Sequence, residues 1–378
     1  MDFPPGILVD HQLRSLLGVA IQAAPGADPP AVAQIQPASI DLRLGPTAHR
    51  MRAGFLPGTQ SIEERLRSLS TERLSLEGEG AVLERGHCYL VQLAESLALS
   101  PDLSGRFNPR SSTGRCDLFT RVLTPGHPRF DVAPTGYRGP LWIEIAPLSF
   151  PVRVRRGDRL TQLRLESGRA ALDAQAVAAL HAETPLAYGN EGPLPLDRLS
   201  LDAEGAIALG VGLEGRTPCG WRAASAENVL VFSGERAHTR EDFWEPLRPL
   251  EGVTGSPCLL EPESFTILAS KERIRIPPTV AAEMLPVDVG IGELRNNYAG
   301  FFDPGFGDPL GSDERPGTPA VLEVRAHDVP FLVEDGQVFF RLRFFSLSAR
   351  PERSYGEGRP GASYRSQDLT LARAFRAD

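Results

Sequence analysis

The segment Arg110–Arg115 carries the side chains with the clearest potential for chemistry in this chain. It places two serines, two arginines and a glycine within six residues, and Pro109 stiffens its start. Guanidinium groups, hydroxyls and oriented backbone N–H groups bind phosphate oxygens, and Gly114 permits backbone angles that other residues avoid. The segment is therefore compatible with an oligophosphate-binding loop. It is equally compatible with a polar turn between two strands, and the segment alone does not decide between the two.

Two carboxylates follow this segment. Glu144 lies in the middle of an apolar, strand-like stretch, Leu141–Ile145. Simple alternation would point such a carboxylate to solvent; beside an apolar pocket it could instead act as a general base. Asp131 could hold a sugar hydroxyl, but capping the turn that follows is the simpler role.

The second half of the chain repeats landmarks of the first at an offset of about 177–179 residues. The matching pairs are Ala98–Gly105 with Ile274–Ala282, Phe150–Gly157 with Val329–Gly336, and Gln162–Leu165 with Arg341–Phe344. An offset that holds across three landmarks predicts two diverged copies of one mostly-β domain of ordinary size.

The two copies are unequal. Pro286–Gly292 stands where the first copy has its arginines and serines, and it has neither; its Asp288 would repel phosphate. Glu323, in the apolar stretch Val321–Val324, repeats Glu144. Only the first copy is therefore expected to bind phosphates, while Glu323 could be structural or could belong to a second half-site.

The composition indicates two or three domains with a well-buried core. The chain has 378 residues, of which 41% are hydrophobic, 37 are glycine and 34 are proline, which favours short elements joined by turns. A net charge of -8 argues against nucleic acid as a partner. The four cysteines form no Cys-x-x-Cys pair, so no zinc site is expected. Without a signal peptide or a membrane-spanning run, the sequence predicts a soluble cytoplasmic protein with no membrane partner.

Short strand-like segments dominate the chain, with few helical ones. Helices are expected near His11–Ala20, Ser61–Leu69 and Ala170–Ala182. A Pro- and Gly-rich stretch then suggests a linker. The predicted organisation is a first domain over residues 1–183 with the intact loop, a linker over 184–200, and a second domain over 201–378 with a degenerate loop.

Several of these segments together are similar to one known family, the dCTP deaminases of the dUTPase superfamily. The resemblance rests on Arg110–Arg115, Phe130-Asp131, Gly136–Gly139 and Ile143–Ile145, supported by Ser39–Gly45, Phe302–Gly307, Ser354-Tyr355 and Tyr364–Gln367. Each motif is weak alone, but the combination is specific. The chain resembles a double-length, internally duplicated member.

The resemblance implies two tandem distorted β-barrels of jelly-roll type, arranged with threefold or pseudo-threefold symmetry in a homo-oligomer whose active sites lie at subunit interfaces. It implies that water attacks C4 of the cytosine in dCTP, giving ammonia and dUTP for thymidylate synthesis. Mg²⁺ accompanies the triphosphate. Zinc deaminases use a His-x-Glu and Cys-x-x-Cys ligand set, which this chain lacks, so a zinc-free mechanism is the deaminase reaction that fits.

The resemblance also implies roles residue by residue. The substrate-binding loop is Arg110, Ser111, Ser112, Thr113, Gly114 and Arg115; Asp131 contacts the deoxyribose region; Trp142 and Ile143 read the base; Glu144 activates water, with Glu323 as the alternative; and Tyr355 and Gln367 belong to a tail that closes over the nucleotide. One departure is Ser363, where the family has a lysine.

Two other functions stay open at this stage. A dUTPase or a bifunctional deaminase–diphosphatase also uses an Arg-Ser-Ser loop, although Glu144 favours the deaminase. A non-catalytic nucleotide-binding regulator is the third possibility, because one of the two loops has decayed.

Overall fold

The chain folds into a mostly-β protein, which confirms the expected class. A computed structural model describes residues 2–58, 60–225, 228–255, 257–285, 300–309, 314–326, 329–357, 364 and 367–376, and the backbone of 294–296. The chain divides into two compact units. Unit 1 comprises Met1–Arg169, Ser225–Phe243 and Ala372–Asp378, and unit 2 comprises Ala170–Ala224 and Trp244–Leu371.

The strands are short, as the glycine and proline content predicts. The first thirteen are β1 (Gly6–Ile7), β2 (Ile21–Ala23), β3 (Ile40–Leu42), β4 (Leu44–Met51), β5 (Ser70–Ser75), β6 (Ala81–Leu83), β7 (Cys88–Ala98), β8 (Leu103–Pro109), β9 (Leu118–Leu123), β10 (Val132–Ala133), β11 (Arg138–Pro147), β12 (Val152–Val154) and β13 (Thr161–Ser167). The others are β14 (Ala187–Tyr188), β15 (Ala206–Gly210), β16 (Gly220–Ala223), β17 (Leu230–Val231), β18 (Trp244–Leu247), β19 (Cys258–Leu260), β20 (Phe265–Ile274), β21 (Val280–Leu285), β22 (Leu294–Asn296), β23 (Phe301–Phe302), β24 (Thr318–Ala326), β25 (Phe331–Val333) and β26 (Val338–Ser346).

In the described residues, each unit has two larger sheets and one small one. In unit 1 the sheet orders are β1-β13-β8-β10 with β3 beside β13, β5-β4-β7-β11-β9 with β2 beside β7, and β17-β12-β6. In unit 2 they are β15-β26-β21-β23, β18-β16-β20-β24-β22 with β14 beside β20, and β19-β25. The pairing order of unit 2 therefore follows that of unit 1 strand for strand, apart from the additional β1 and β17.

The position of β11 in the centre of its sheet explains why the stretch Leu141–Ile145 is almost entirely apolar. It pairs with β7 on one edge and β9 on the other, and Leu141–Ile145 is buried. A strand that is paired on both edges and covered on both faces has no solvent-facing alternation. In unit 2, β24 takes the same position between β20 and β22.

The helices are few and close to their predicted places. They are α1 (Asp10–Leu16), α2 (Ile62–Leu69), α3 (Ser111–Gly114) and α4 (Ala174–Glu183), with 3₁₀ turns at Val32–Gln34, Leu196–Arg198 and Arg240–Asp242. The side chain of Ser61 accepts a hydrogen bond from the backbone N–H of Glu64, whose carboxylate accepts one in return, so a capping box starts α2. Among the described residues, no helix is both long and apolar enough to cross a membrane.

The division into units differs from the predicted boundaries at 183/184 and 200/201. Helix α4 belongs to unit 2, because Val177 packs into that unit's core, and β14, inside the expected linker, pairs with β20. Conversely, β17 belongs to unit 1, because it pairs in parallel with β12. The backbone N–H of His238 donates to the carbonyl of Ala374, which holds the last described residues of the chain in unit 1 as well.

Candidate active site

The loop predicted to bind phosphate is one tight turn between β8 and β9. Its helical turn α3 begins directly after Arg110. The backbone N–H of Arg110 donates to the carbonyl of Leu160 at 2.9 Å, and the Thr113 hydroxyl donates to the same carbonyl at 2.7 Å. Thr113 therefore holds the loop against β13, and Thr113 and Gly114 are buried within it.

Asp41, from the supporting Ser39–Gly45 motif, orients the basic side chains of the loop region. Its carboxylate is buried and lies 3.3 Å from Nε of Arg110 and 3.8 Å from Nη1 of Arg159. The Arg110 guanidinium also donates to the Arg159 carbonyl at 3.2 Å. One buried carboxylate thus contacts two guanidinium groups, which limits the conformational freedom of both side chains before a ligand binds.

The loop borders a cavity of about 280 Å³ within unit 1. Its lining includes Arg110 and Ser112 from the loop, Asp158 and Arg159, Phe232–Glu235, and Ala372–Ala374. Three guanidinium-bearing residues and two acidic ones, Asp158 and Glu235, therefore face the same space. Burial raises the pKa of the Asp158 carboxyl above its ordinary value. Ser111 is exposed at the start of the turn, whereas Arg115 is only 3% exposed.

Glu144 is buried, so the solvent-facing alternative considered for it is wrong. Its residue is 4% exposed, because β11 is covered on this face by a cluster that contains Leu90 and Trp142. The Arg121 side chain, on the neighbouring strand β9, donates to Oε1 through Nε at 3.0 Å and through Nη2. Phe119 and Phe130 flank the Arg121 guanidinium at 5.1 and 4.0 Å from their ring centroids.

Two further residues lie beside the Glu144 carboxylate. Burial, and then the charge of Glu144, raise the pKa of the Cys88 thiol to about 12, so this neighbour is neutral. Gly54 lies directly over the carboxylate, since a Cβ atom there would come within 3.2 Å of Oε1 and closer still to Oε2. The carboxylate is therefore held by an arginine, next to a neutral thiol and a bare stretch of backbone.

Asp131 has a structural role in this unit. It adopts a left-handed backbone conformation with φ of 60°. Its Oδ1 accepts the backbone N–H of Val122 at 2.8 Å, and its own N–H donates to the Val122 carbonyl at 2.9 Å. These bonds tie Asp131 to β9, which precedes it in the chain, so both the turn-capping role and the sugar contact foreseen for Asp131 stay predictions. On β11, Trp142 packs in the cluster around Glu144 and Ile143 is fully buried.

The remaining predicted residues lie in unit 2. Tyr355 packs against the Asp-Pro-Gly-aromatic turn: its N–H donates to the Pro304 carbonyl at 2.8 Å and its ring lies 5.6 Å from that of Phe306. Gln367 donates to the Pro319 carbonyl at 3.0 Å. Glu323, 7% exposed, pairs with Ile267 of β20, as Glu144 pairs with Leu90 of β7.

Some predicted features fall outside the described residues, namely the degenerate loop Pro286–Gly292 and Ser363 of the tail. Within the described part of the chain, no cluster of three His, Cys, Asp or Glu side chains could hold a metal ion.

Sequence reasoning missed Arg121, Cys88 and Gly54 around the glutamate. Arg121 shares one face of its strand with Phe119 and alternates with Thr120 and Val122; only the register of β9 against β11 places it opposite Glu144. It also missed Phe232–Glu235 and Arg373 at the loop cavity. These reach the loop from far along the chain, and no local motif marks them.

The fold and this site define a β-rich enzyme, and comparison with known proteins identifies its family. Residues 4–169 match the model of the 2'-deoxycytidine 5'-triphosphate deaminase N-terminal domain, and residues 173–375 match that of the C-terminal domain. The chain therefore belongs to the dCTP deaminase family. The boundary between the two models, at 169–173, agrees with the start of unit 2 at Ala170.

Individual relatives agree with this assignment. A crystal structure of 2'-deoxycytidine 5'-triphosphate deaminase from Agrobacterium tumefaciens has a TM-score of 0.81 and 42% identity, over 92% of this chain and 99% of that one. A dCTP deaminase from Halorubrum lacusprofundi is 31% identical over 132 residues. A dUMP-forming dCTP deaminase from Beutenbergia cavernae is 32% identical over 130 residues. Each of these two matches spans 34% of this chain and 62% of the relative's length.

Proposed function

We propose that this protein is an active dCTP deaminase that converts dCTP and water into dUTP and ammonia, which supplies dUTP for thymidylate synthesis. The observation that carries the proposal is the 42% identity, over nearly the full length of both chains, with a protein named as a dCTP deaminase. The basic loop cavity and the buried, oriented Glu144 in unit 1 support it with the two groups the reaction needs.

In this proposal Glu144 is the general base. Its carboxylate accepts a proton from the attacking water as the oxygen bonds to C4 of the cytosine. The proton is then delivered to the amino group, the C4–N bond breaks and ammonia leaves, and the remaining hydroxyl proton passes to N3 as the C4 carbonyl of the uracil forms, so that the carboxylate returns to its starting state. Arg121 holds the carboxylate in one orientation, and a fixed base avoids reorganisation during the reaction.

The loop would bind the triphosphate. Arg110 and Ser112 already face the cavity, and Arg159 and Arg373 line it beside them; guanidinium groups suit phosphate because their paired N–H groups match its oxygens. The carboxylates of Asp158 and Glu235 in the same cavity fit Mg²⁺, which prefers oxygen ligands and would neutralise part of the triphosphate charge. We also propose that Ser111 and Arg115 contribute to phosphate binding, and that Asp131, Trp142 and Ile143 border the sugar and base.

The matching strand order of the two units supports the proposal that they are diverged copies of one domain. We propose for each the distorted jelly-roll barrel implied by the family resemblance, in an assembly with threefold or pseudo-threefold symmetry. Tyr355 and Gln367 would then close over the nucleotide as part of the tail, with the loop of a first copy supplying the phosphate contacts.

A bifunctional enzyme is the second candidate, because relatives such as the one from Beutenbergia cavernae are named dUMP-forming. In that case dUTP would not accumulate, and dUMP with pyrophosphate would appear. Incubation with dCTP, dUTP or CTP and Mg²⁺, followed by product analysis, separates the candidates: dUTP with ammonia, dUMP with pyrophosphate, or binding without turnover if the protein is a regulator.

Glu144→Gln tests the assigned base. We expect deamination to fall by about 100-fold or more, in line with general-base catalysis, while dCTP binding is retained because the amide keeps the size of the side chain. Glu323→Gln is the matched control and should leave turnover close to normal. If Glu144→Gln keeps normal turnover, the assignment to Glu144 is wrong, and a loss of turnover in Glu323→Gln would then identify Glu323 as the base.

A further inference from the structure

Unit 2 contains a second basic cavity, and apart from Gln367, which belongs to the proposed nucleotide-closing tail, its residues have no role in the proposed reaction. It has a volume of about 430 Å³. Four cationic residues line it, together with three acidic ones and the Asn190 and Gln367 side chains; the cations are Arg216, Lys271, Arg273 and Arg315, and the acidic residues are Asp308, Glu314 and Asp368.

Two of the four cations are already neutralised. The Arg216 guanidinium lies 3.0 Å from the Asp368 carboxylate. The Lys271 ammonium lies 2.5 Å from the carboxylate of Asp335, next to the cavity. These pairs satisfy their own charge and contribute little net attraction for an anion.

Arg273 and Arg315 are different. Within the part of the chain that the structure describes, their guanidinium groups donate to the backbone carbonyls of Gly189 and Asn190, each at 3.5 Å. Among the described residues, neither has a carboxylate within ion-pair distance. The two are close enough to repel, since burial and then the charge of Arg315 lower the pKa of Arg273.

The surrounding backbone holds Arg273 in this position. Its guanidinium lies over the Tyr188 ring, 5.9 Å from the centroid, and such stacking favours a fixed planar cation. Gly317 lies against both, because a Cβ atom there would come within 3.1 Å of the Tyr188 ring and 3.0 Å of the Arg273 Cβ. A pair of like charges fixed beside an open cavity is stabilised when an anion binds between them.

We propose that Arg273 and Arg315 form a binding site for a phosphate-type polyanion, either an inorganic one or the phosphate chain of a nucleotide. Two planar guanidinium groups can each make paired hydrogen bonds to phosphate oxygens. The Asn190 amide, which also lines the cavity, adds a neutral donor. The lining of this cavity has no residue in common with that of the loop cavity in unit 1.

Isothermal titration of the full chain with inorganic pyrophosphate, without any turnover, tests the site. Arg273→Gln and Arg315→Gln should each weaken one class of pyrophosphate site by about tenfold to a hundredfold, as expected when a charged hydrogen-bonding partner is lost. The double variant should lose that class, and the measured stoichiometry should fall by one per chain. Arg248→Gln, which removes an exposed arginine of the same unit, is the matched control and should bind as the wild type does.

Circular dichroism and thermal unfolding confirm that each variant is folded, and each arginine is tested separately in case the double variant is not. Repeating the titrations with dCTP and dUTP identifies the source of the anion: tighter binding than pyrophosphate that is lost in the variants indicates a nucleotide, and equal binding indicates a free inorganic anion. Unchanged affinity and stoichiometry for pyrophosphate in a folded double variant would overturn the proposal. Because no reaction is measured, a failure here leaves the deaminase proposal untouched.

Discussion

Gly54 offers a test of how closely the reaction depends on the position of the Glu144 carboxylate. The residue lies over that carboxylate, and a methyl group at this position would come closer than 3.0 Å to Oε2, 3.1 Å to the carboxyl carbon and 3.2 Å to Oε1. Gly54→Ala changes no charge and removes no hydrogen bond. Its first effect is therefore to displace the carboxylate.

The size of the displacement follows from the contacts. Ordinary Cβ contacts begin at 3.4 Å, so Oε2 must retreat by more than 3.4 − 3.0 = 0.4 Å. The carboxylate is the far end of its side chain, but the Arg121 guanidinium restrains it. A misplacement of about 1 Å at a reacting group costs on the order of 100-fold in rate. We therefore expect kcat for deamination to fall by roughly 10- to 100-fold in Gly54→Ala.

The assay is steady-state release of ammonia from dCTP, together with the dCTP dissociation constant and the unfolding midpoint. We expect KM and dCTP affinity to change by less than about threefold, because the loop cavity is untouched, and the unfolding midpoint to change little. Gly58→Ala is the control: this glycine is four residues away and a Cβ atom there would have nothing within 4 Å.

A normal kcat in Gly54→Ala would show that the carboxylate either moves freely or takes no part in the rate-limiting step. An equal loss in Gly58→Ala would assign the effect to the flexibility of this segment and not to the carboxylate. A large fall in the unfolding midpoint would make the change one of stability. Only a loss of kcat confined to Gly54→Ala supports the reasoning.

Two other changes probe unit 1. Arg121→Ala should lower the free energy of unfolding by about 2 kcal/mol, because it leaves the Glu144 carboxylate buried without its ion pair; urea unfolding measures this, and an unchanged midpoint would contradict it. Burial chiefly lowers the pKa of His238 in the folded protein. As the pH falls below about 6.5, this histidine is therefore protonated more readily in the unfolded chain than in the folded one, and the free energy of unfolding decreases. His238→Gln should therefore show a smaller fall in melting temperature between pH 7.5 and 5.5 than the wild type or the control His127→Gln, and parallel curves would refute the contribution of His238.

Much of the fold and part of the site could be predicted from local sequence. The glycine and proline content indicated short strands, and the strand-like stretch Leu141–Ile145 is the central strand β11. The Arg-Ser-Ser loop was visible because its chemistry lies within six consecutive residues. The orientation of Glu144 could not be predicted in this way. A carboxylate buried in a strand that is covered on both faces needs a partner from another strand, here Arg121, and space beside it, here the backbone at Gly54.

The loop cavity explains why the domain boundaries could not be read from composition. A Pro- and Gly-rich stretch such as 184–200 suggests a linker, but backbone pairing decides where a segment belongs, and β14 within that stretch is a strand of unit 2. The reverse is true of Phe232–Glu235 and Ala372–Ala374, which come late in the chain but belong to unit 1 and line the cavity beside Arg110. The loop side of this cavity is therefore formed by neighbouring residues, and its other walls by residues distant in sequence. The second half of the chain therefore supplies part of the cavity beside the loop of the first half.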